Sequence, residues 1–222
     1  GNNKTYLYSY DPDVFGKKEL IGNWGFTNVT KNWNWKDADQ KPVQVAVFSN
    51  GDEVELIQNG TSVGKLTSGT RLAAELPHSF LFDLTYLPGT LEAVSYKDGK
   101  EISRDTLVTT GPAKELRLIQ EKKELSANGH EVAYIRVEIV DENGIVVPDA
   151  ALRLSAAVEG VGSLAAFGSS NPITDENYTS GTFTSYHGTA TAIIRSGYQT
   201  GMCTLTVGCE GLDEKKIAFT IK

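Results

Sequence analysis

The chain has 222 residues, 40% of them apolar and 22% charged, with a formal net charge of −7. That composition excludes a disordered chain, and the length suggests two domains of roughly 110 residues, each able to bury its own core. The acidic balance argues against a nucleic-acid partner and against an anionic membrane surface: the densest basic cluster, Lys122-Lys123, is flanked by Glu121 and Glu124. No apolar run approaches the ~20 residues of a membrane helix, so membrane insertion is not expected. The start, Gly1-Asn2-Asn3-Lys4, has no apolar leader core. Glycine in place of methionine marks a processed or engineered start, so the sequence reads as cut from a longer protein.

Residues 1–36 form a distinct aromatic and polar segment. It holds all three tryptophans, Trp24, Trp33 and Trp35, together with Tyr6, Tyr8, Tyr10, Phe15 and Phe26. Period-two alternation is poor and Asp11-Pro12-Asp13 interrupts it, so an irregular tail lying against something larger is expected. From Pro42 the pattern changes. Val43, Val45 and Val47 alternate with smaller or polar residues, as in a half-buried strand. Val54 to Leu56 and Val63 to Leu66 flank Asn59-Gly60, whose tolerance of positive φ predicts a type I′ hairpin. Phe80 to Leu84, Thr90 to Tyr96 and Glu101 to Val108 continue the series, the last two joined by a second hairpin turn at Asp98-Gly99. Arg71 to Leu76 has the composition of a turn or two of helix before Pro77. Six or seven short strands in about 70 residues predict an immunoglobulin-like β-sandwich over residues 37–111.

Thr110-Gly111-Pro112-Ala113 marks the boundary, because proline cannot donate to a sheet ladder and restricts the residue before it. The second half, 112–222, repeats the style. Ala133, Ile135, Val137 and Ile139 alternate with Tyr134, Arg136 and Glu138 in the clearest strand of the chain. Further strands are expected at Leu116 to Ile119, from Leu152, and over Thr189 to Arg195, Met202 to Val207 and Lys216 to Ile221. Charges and prolines at Lys114, Glu115, Pro148 and Asp149 suit protected edges. The fold class is therefore all-β: two tandem immunoglobulin-like β-sandwich domains preceded by an irregular aromatic-rich segment.

Candidate chemistry is sparse. Cys203 and Cys209 lie six apart on one expected strand, about 20 Å from end to end, which is beyond disulfide reach; two free thiols are expected. His78, His130 and His187 stand alone near turns, with no ligand spacing to suggest a metal. Asp52, Glu53 and Glu55 form the one acidic cluster that imitates a glycosidase pair, but Val54 and Leu56 claim the core face, which leaves both glutamates on the solvent face. There is no Gly-x-Ser-x-Gly elbow, and Gly160-Val161-Gly162-Ser163 lacks the third glycine and the helix of a phosphate loop. No cofactor is implied. Asn28, Asn59 and Asn177 each open a glycosylation sequon, with Asn59 better explained by its turn. Trp33 and Trp35, two apart, point to one side of an extended segment, where they could stack on a sugar or dock the segment onto a core. Docking is the favoured expectation.

Several of these words together resemble the region after the catalytic barrel in family 2 glycoside hydrolases of the β-galactosidase type. They are Trp33-Asn34-Trp35, Ser49 to Gly60 and Pro88 to Tyr96. In the second half, Ala133 to Gly144, Val147-Pro148-Asp149-Ala150 and Phe167 to Pro172 are similar to a bacterial immunoglobulin-like domain that follows it; the last departs from the family wording at Ser169 and Ser170. The resemblance implies a tail at 1–36 leaving the barrel, a first accessory domain at 37–111 and a second at 112–222. It also implies that the barrel and its catalytic acids are absent, and it carries over no catalytic residue. The implied role is a non-catalytic scaffold without activity of its own. Its partners would be the catalytic barrel and N-terminal domains of a parent enzyme, with oligosaccharide as a further candidate. The location is left unassigned, a periplasmic or secreted bacterial parent being what it suggests. The competing readings are a stand-alone carbohydrate-binding module and an adhesin-type surface repeat.

Overall fold

The computed structural model describes residues 3–20, 27–68 and 78–222. The chain divides into two compact units, Gly1–Thr109 and Thr110–Lys222. Among the described residues there is no α-helix; one short 3-10 turn, Pro12–Val14, accompanies the strands.

The first unit comprises β1 (Thr5–Ser9), β2 (Pro42–Ser49), β3 (Glu53–Gln58), β4 (Thr61–Thr67), β5 (Ser79–Thr85), β6 (Thr90–Lys97) and β7 (Lys100–Val108). They form two antiparallel sheets, β1-β2-β5 and β4-β3-β6-β7. The chain crosses between the sheets after β2, β4 and β5, so each sheet mixes early and late strands. The alternating valines of β2, with Phe80 of β5 beside them, point inward against Val54 and Leu56 of β3 and Leu91 and Ala93 of β6, one apolar face on another. Both hairpins have the backbone expected of them. Asn59 and Gly60 have φ of 49° and 79°, and Asp98 and Gly99 of 50° and 74°, the paired left-handed residues of a type I′ turn. Asn59 also works through its side chain: Oδ1 accepts the Thr90 N–H at 2.8 Å and Nδ2 donates to the Pro88 carbonyl at 3.0 Å.

The aromatic-rich segment contributes β1. Thr5, Leu7 and Ser9 face inward while Tyr6 and Tyr8 face out. The polarity of Thr5 and Ser9 hides that alternation in the sequence. The helix expected at Arg71 to Leu76 lies outside the described residues, as do Trp24 and Phe26.

The second unit comprises β8 (Glu115–Gln120), β9 (Glu124–Leu125), β10 (Val132–Val140), β11 (Arg153–Gly160), β12 (Gly162–Gly168), β13 (Thr182–Thr184), β14 (Thr189–Ser196), β15 (Gly201–Cys209) and β16 (Leu212–Ile221). Its sheets are β12-β14-β10-β8 and β13-β11-β15-β16-β9, with β9 running parallel to β16. Ile135, Val137 and Ile139 of β10 and Ile194 of β14 meet Leu205 and Val207 of β15 in a core filled out by Phe167, Phe183 and Phe219. β12 and β13 escape the sequence pattern. Val161 alone separates β11 from β12, so the stretch from Gly160 to Ser163 is mostly strand. Gly162 to Gly168 has no clean alternation because a bulge between Leu164 and Ala166 shifts its register. Cys203, buried, and Cys209, half-buried, are both on β15 and both free.

Candidate functional site

Four places hold side chains that could act: the tryptophan segment, the acidic cluster on β3, a cleft beside Tyr10, and the second unit's polar clusters.

Trp33 is 1% exposed and sits in the first core. Its ring meets Tyr86 edge-on, with centroids 4.9 Å apart, and Nε1 donates to the Leu87 carbonyl at 3.2 Å. The Trp33 carbonyl accepts from the Tyr86 hydroxyl at 2.9 Å and from Thr109 Oγ1 at 2.7 Å. Trp35 is half-buried; its Nε1 donates to Ser9 Oγ at 3.2 Å, and that hydroxyl donates to the Asn32 carbonyl at 2.6 Å. The segment from Asn32 to Trp35 is thus tied to β1, to Tyr86-Leu87 after β5, and to Thr109 after β7. Asn32 closes it locally, its Oδ1 accepting the Asn34 N–H at 2.8 Å.

On β3, Glu53 and Glu55 occupy the outward positions between buried Val54 and Leu56. Lys65 of β4 lies 2.9 Å from Glu53 and 3.8 Å from Glu55, and Tyr96 of β6 donates its hydroxyl to Glu55 at 3.0 Å. The ammonium also sits over the Tyr96 ring, 4.4 Å from its centroid. Ser62, then the Tyr96 hydroxyl and Lys65, hold the Glu55 carboxyl below its ordinary value against the upward pull of burial. Both carboxylates are engaged in a surface ion cluster.

A cleft of about 340 Å³ is lined by Tyr10, Phe15, Lys17, Glu19 and Gln44 among others. Tyr10 donates to Glu19 Oε2 at 3.1 Å, and the Asn28 N–H donates to Oε1 at 2.5 Å. Burial, then the Glu19 charge, raises the Tyr10 phenol far above its usual value.

In the second unit Asp141, 2% exposed, accepts three backbone N–H groups: Asn143 and Ile145 on Oδ1, each at 2.9 Å, and Gly111 on Oδ2 at 3.0 Å. Burial pushes its carboxyl up, but the amides of Ile145, Gly111 and Asn143 outweigh that and hold it below the usual carboxylate value. On the outer face of β10, Glu138 is 4% exposed although it faces away from the core. Arg117 reaches its Oε2 from Nε at 2.7 Å and Nη2 at 2.6 Å, and Arg136 reaches Oε1 from Nε at 2.9 Å. Period-two alternation already puts Arg136 and Glu138 on one face; that Arg117 completes the cluster follows only from the β8–β10 register. In the loop after Phe167, Glu176 accepts the Thr184 N–H and pairs with Arg153, and Tyr178 stacks on Phe183 at 4.7 Å. His78 and His187 have positive φ at turns, and His130 follows the Asn128-Gly129 turn. Among the described residues no three His, Cys, Asp or Glu side chains gather as a metal group.

Two units, each with one sheet packed on another, define a class: β-sandwich domains. Residues 116–218 match the model of glycoside hydrolase family 2 C-terminal domain 5, and residues 40–103 match a domain of unknown function (DUF4982). The chain is similar to the C-terminal region of family 2 glycoside hydrolases, β-galactosidases among them. It is 28% identical over 209 residues to the β-galactosidase BoGH2A of Bacteroides ovatus, a match covering 94% of this chain and 23% of that one. With a β-galactosidase of Thermoanaerobacter pseudethanolicus the figures are 29% over 182 residues, 77% and 23%. The crystal structure of a glycosyl hydrolase family 2 member from Bacteroides cellulosilyticus superposes with a TM-score of 0.88 at 27% identity, covering 100% of this chain and 28% of that one. The chain therefore spans about a quarter of the length of the relatives it matches, and in them this region is one part of a larger multidomain enzyme.

Proposed function

We propose that this chain acts as a non-catalytic scaffold within a family 2 glycoside hydrolase, packing beside a catalytic barrel and N-terminal domains that carry the bond-breaking chemistry. The observation that carries this reading is the asymmetry of coverage: 94% of this chain aligns with 23% of BoGH2A. The state of the carboxylates supports it. A retaining glycosidase needs two carboxyl groups about 5 Å apart facing a substrate space, whereas Glu53 and Glu55 are both drawn to Lys65 on an open sheet face. Trp33 and Trp35 fit the docking role in this reading. They fasten the aromatic segment to the first unit, and a ring 1% exposed has no free face to offer a sugar.

The test is hydrolysis of nitrophenyl β-galactoside by the purified chain. Release of nitrophenol at the buffer rate is the expected result. Turnover above buffer that disappears in Glu53→Gln overturns the proposal.

A further inference from the structure

The outer face of the sheet β12-β14-β10-β8 does not have the composition of a solvated surface. Three ranks of side chains cross it. Arg136 stands between Ile119 and Thr191, Tyr134 opposite Ile193, and Glu138 between Arg117 and Thr189. Tyr134 is 48% exposed and Ile119 43%. Of the six arginines in the chain, three (Arg117, Arg136 and Arg195) point outward from these strands, and none of the fifteen lysines lies on them. Arginine enriched and lysine depleted around an exposed tyrosine is the composition of a protein–protein contact.

The charges narrow the occupant. Glu138 is satisfied on both oxygens, by Arg117 on one and by Arg136 Nε on the other. The Arg136 guanidinium is thereby held in one orientation, and its two terminal amino groups have no partner among the described residues. They line a groove of about 470 Å³ together with Ile119, Glu121, Tyr134 and Thr191. Glu121, exposed, is likewise unpaired among the described residues. One groove thus offers the two open amino groups of a guanidinium already fixed by Glu138, a carboxylate unpaired among the described residues, and an apolar pair. Such a surface is complementary to itself about a two-fold axis.

The geometry points to a second copy of this chain as the occupant, face to face, with Arg136 of each copy meeting Glu121 of the other while Tyr134 and Ile119 pack across the axis. Four strands ~4.8 Å apart and about eight residues long at ~3.3 Å each give a face of roughly 500 Å² per copy. Twice that lies at the lower edge of specific interfaces, which sets a reversible dimer rather than an obligate one. The inference goes beyond the scaffold role and does not depend on it.

Sedimentation equilibrium of the 222-residue chain tests this, with circular dichroism to confirm that each variant is folded. The wild type is expected to show a concentration-dependent monomer–dimer equilibrium. Glu121→Arg, an exposed change that leaves the Arg136–Glu138 pair in place, is expected to weaken it at least about tenfold. A wild type that stays monomeric up to its solubility limit overturns the proposal, as does a Glu121→Arg variant that dimerises as well as the wild type. A monomer whose Tyr134 NMR signals shift on addition of glucuronate overturns it too, in favour of an acidic sugar in the groove.

Discussion

Asp105 and Leu7 are 98 residues apart in sequence, yet Asp105 Oδ2 accepts the Leu7 N–H at 2.8 Å. Leu7 belongs to β1, which pairs with β2 on one side only. Its other side is a sheet edge, and an unpaired row of N–H and C=O groups there is a template for unwanted pairing. Asp105 reaches that edge from β7 of the facing sheet, and Lys31 covers the carboxylate at 2.6 Å. At the next inward position Ser9 exchanges two backbone hydrogen bonds with Thr30, at 2.9 and 3.0 Å. Thr5 ties β1 to the facing sheet through its inward hydroxyl, 2.7 Å from Ser95 Oγ and 2.5 Å from Ser103 Oγ. The edge backbone is therefore capped at Leu7 by a side chain of the opposite sheet and at Ser9 by one short bridge.

Removing that carboxylate is expected to open the edge. Asp105→Ala leaves the Leu7 N–H without its partner and Lys31 without its counter-ion, a loss of about 1–2 kcal/mol. The specific signature is local: hydrogen exchange of the Leu7 amide speeds up relative to the central strands β2 and β6. Unchanged protection of Leu7 in the variant refutes the capping role.

The two tryptophans should separate sharply in a stability measurement. Trp33→Ala removes a fully enclosed ring and its Nε1 bond to Leu87, and is expected to cost about 3–5 kcal/mol. Trp35→Ala removes a half-buried ring whose Nε1 bonds Ser9, and is expected to cost less than half as much. Urea unfolding of both variants checks the order. Equal costs would mean that the segment is held by its backbone contacts instead of by the Trp33 ring.

The strands were legible where one face is buried and the other wet, because period-two alternation then appears in the residue types themselves. β2, β10 and the hairpin around Asn59-Gly60 are of that kind. β1 was not, since its inward residues include Thr5 and Ser9, whose hydroxyls are satisfied only by partners far away in sequence. β12 was not, since the bulge at Leu164–Ala166 breaks the period. Trp33 and Trp35 read from the sequence as a pair on one side of an extended segment; Tyr86 and Thr109, which bond the Trp33 carbonyl, were not legible. Nor was the burial of Glu138 on an outward position, which depends on the register that brings Arg117 alongside.

Asp141 shows how much one turn residue can organise. Its carboxylate holds the Asp141–Ile145 turn through two amides and the start of the second unit through the Gly111 amide. Asp141→Ala strands three N–H donors and is expected to destabilise the second unit by about 2–4 kcal/mol. Asp141→Asn keeps one acceptor oxygen and presents an amide donor at the other position, so it is expected to lose about half as much. The unfolding midpoints of the two variants, followed by amide exchange of Ile145, decide between a structural turn and an incidental one.

Glu131 gives the chain a measurable acid response. Lys122 Nζ sits 2.9 Å from its Oε1 and the Ser126 N–H donates to Oε2 at 2.7 Å. The Lys122 ammonium, then the Ser126 amide, pull its carboxyl down to about 2 from the ordinary 4.5. A carboxyl with a depressed folded value adds stability that is present above 4.5 and fades as the pH falls toward 2, because the unfolded chain takes up the proton first. The side chain lies at the surface, so solvent and salt screen the effect. Carbon-13 NMR of the Glu131 carboxyl is expected to titrate with a midpoint near 2 in the wild type. In Lys122→Ala the midpoint is expected to rise but stay under the ordinary value, since the Ser126 amide still donates. Glu131→Gln should flatten the loss of stability between pH 4.5 and 2. A wild-type midpoint at 4.5 would show that neither contact persists in solution.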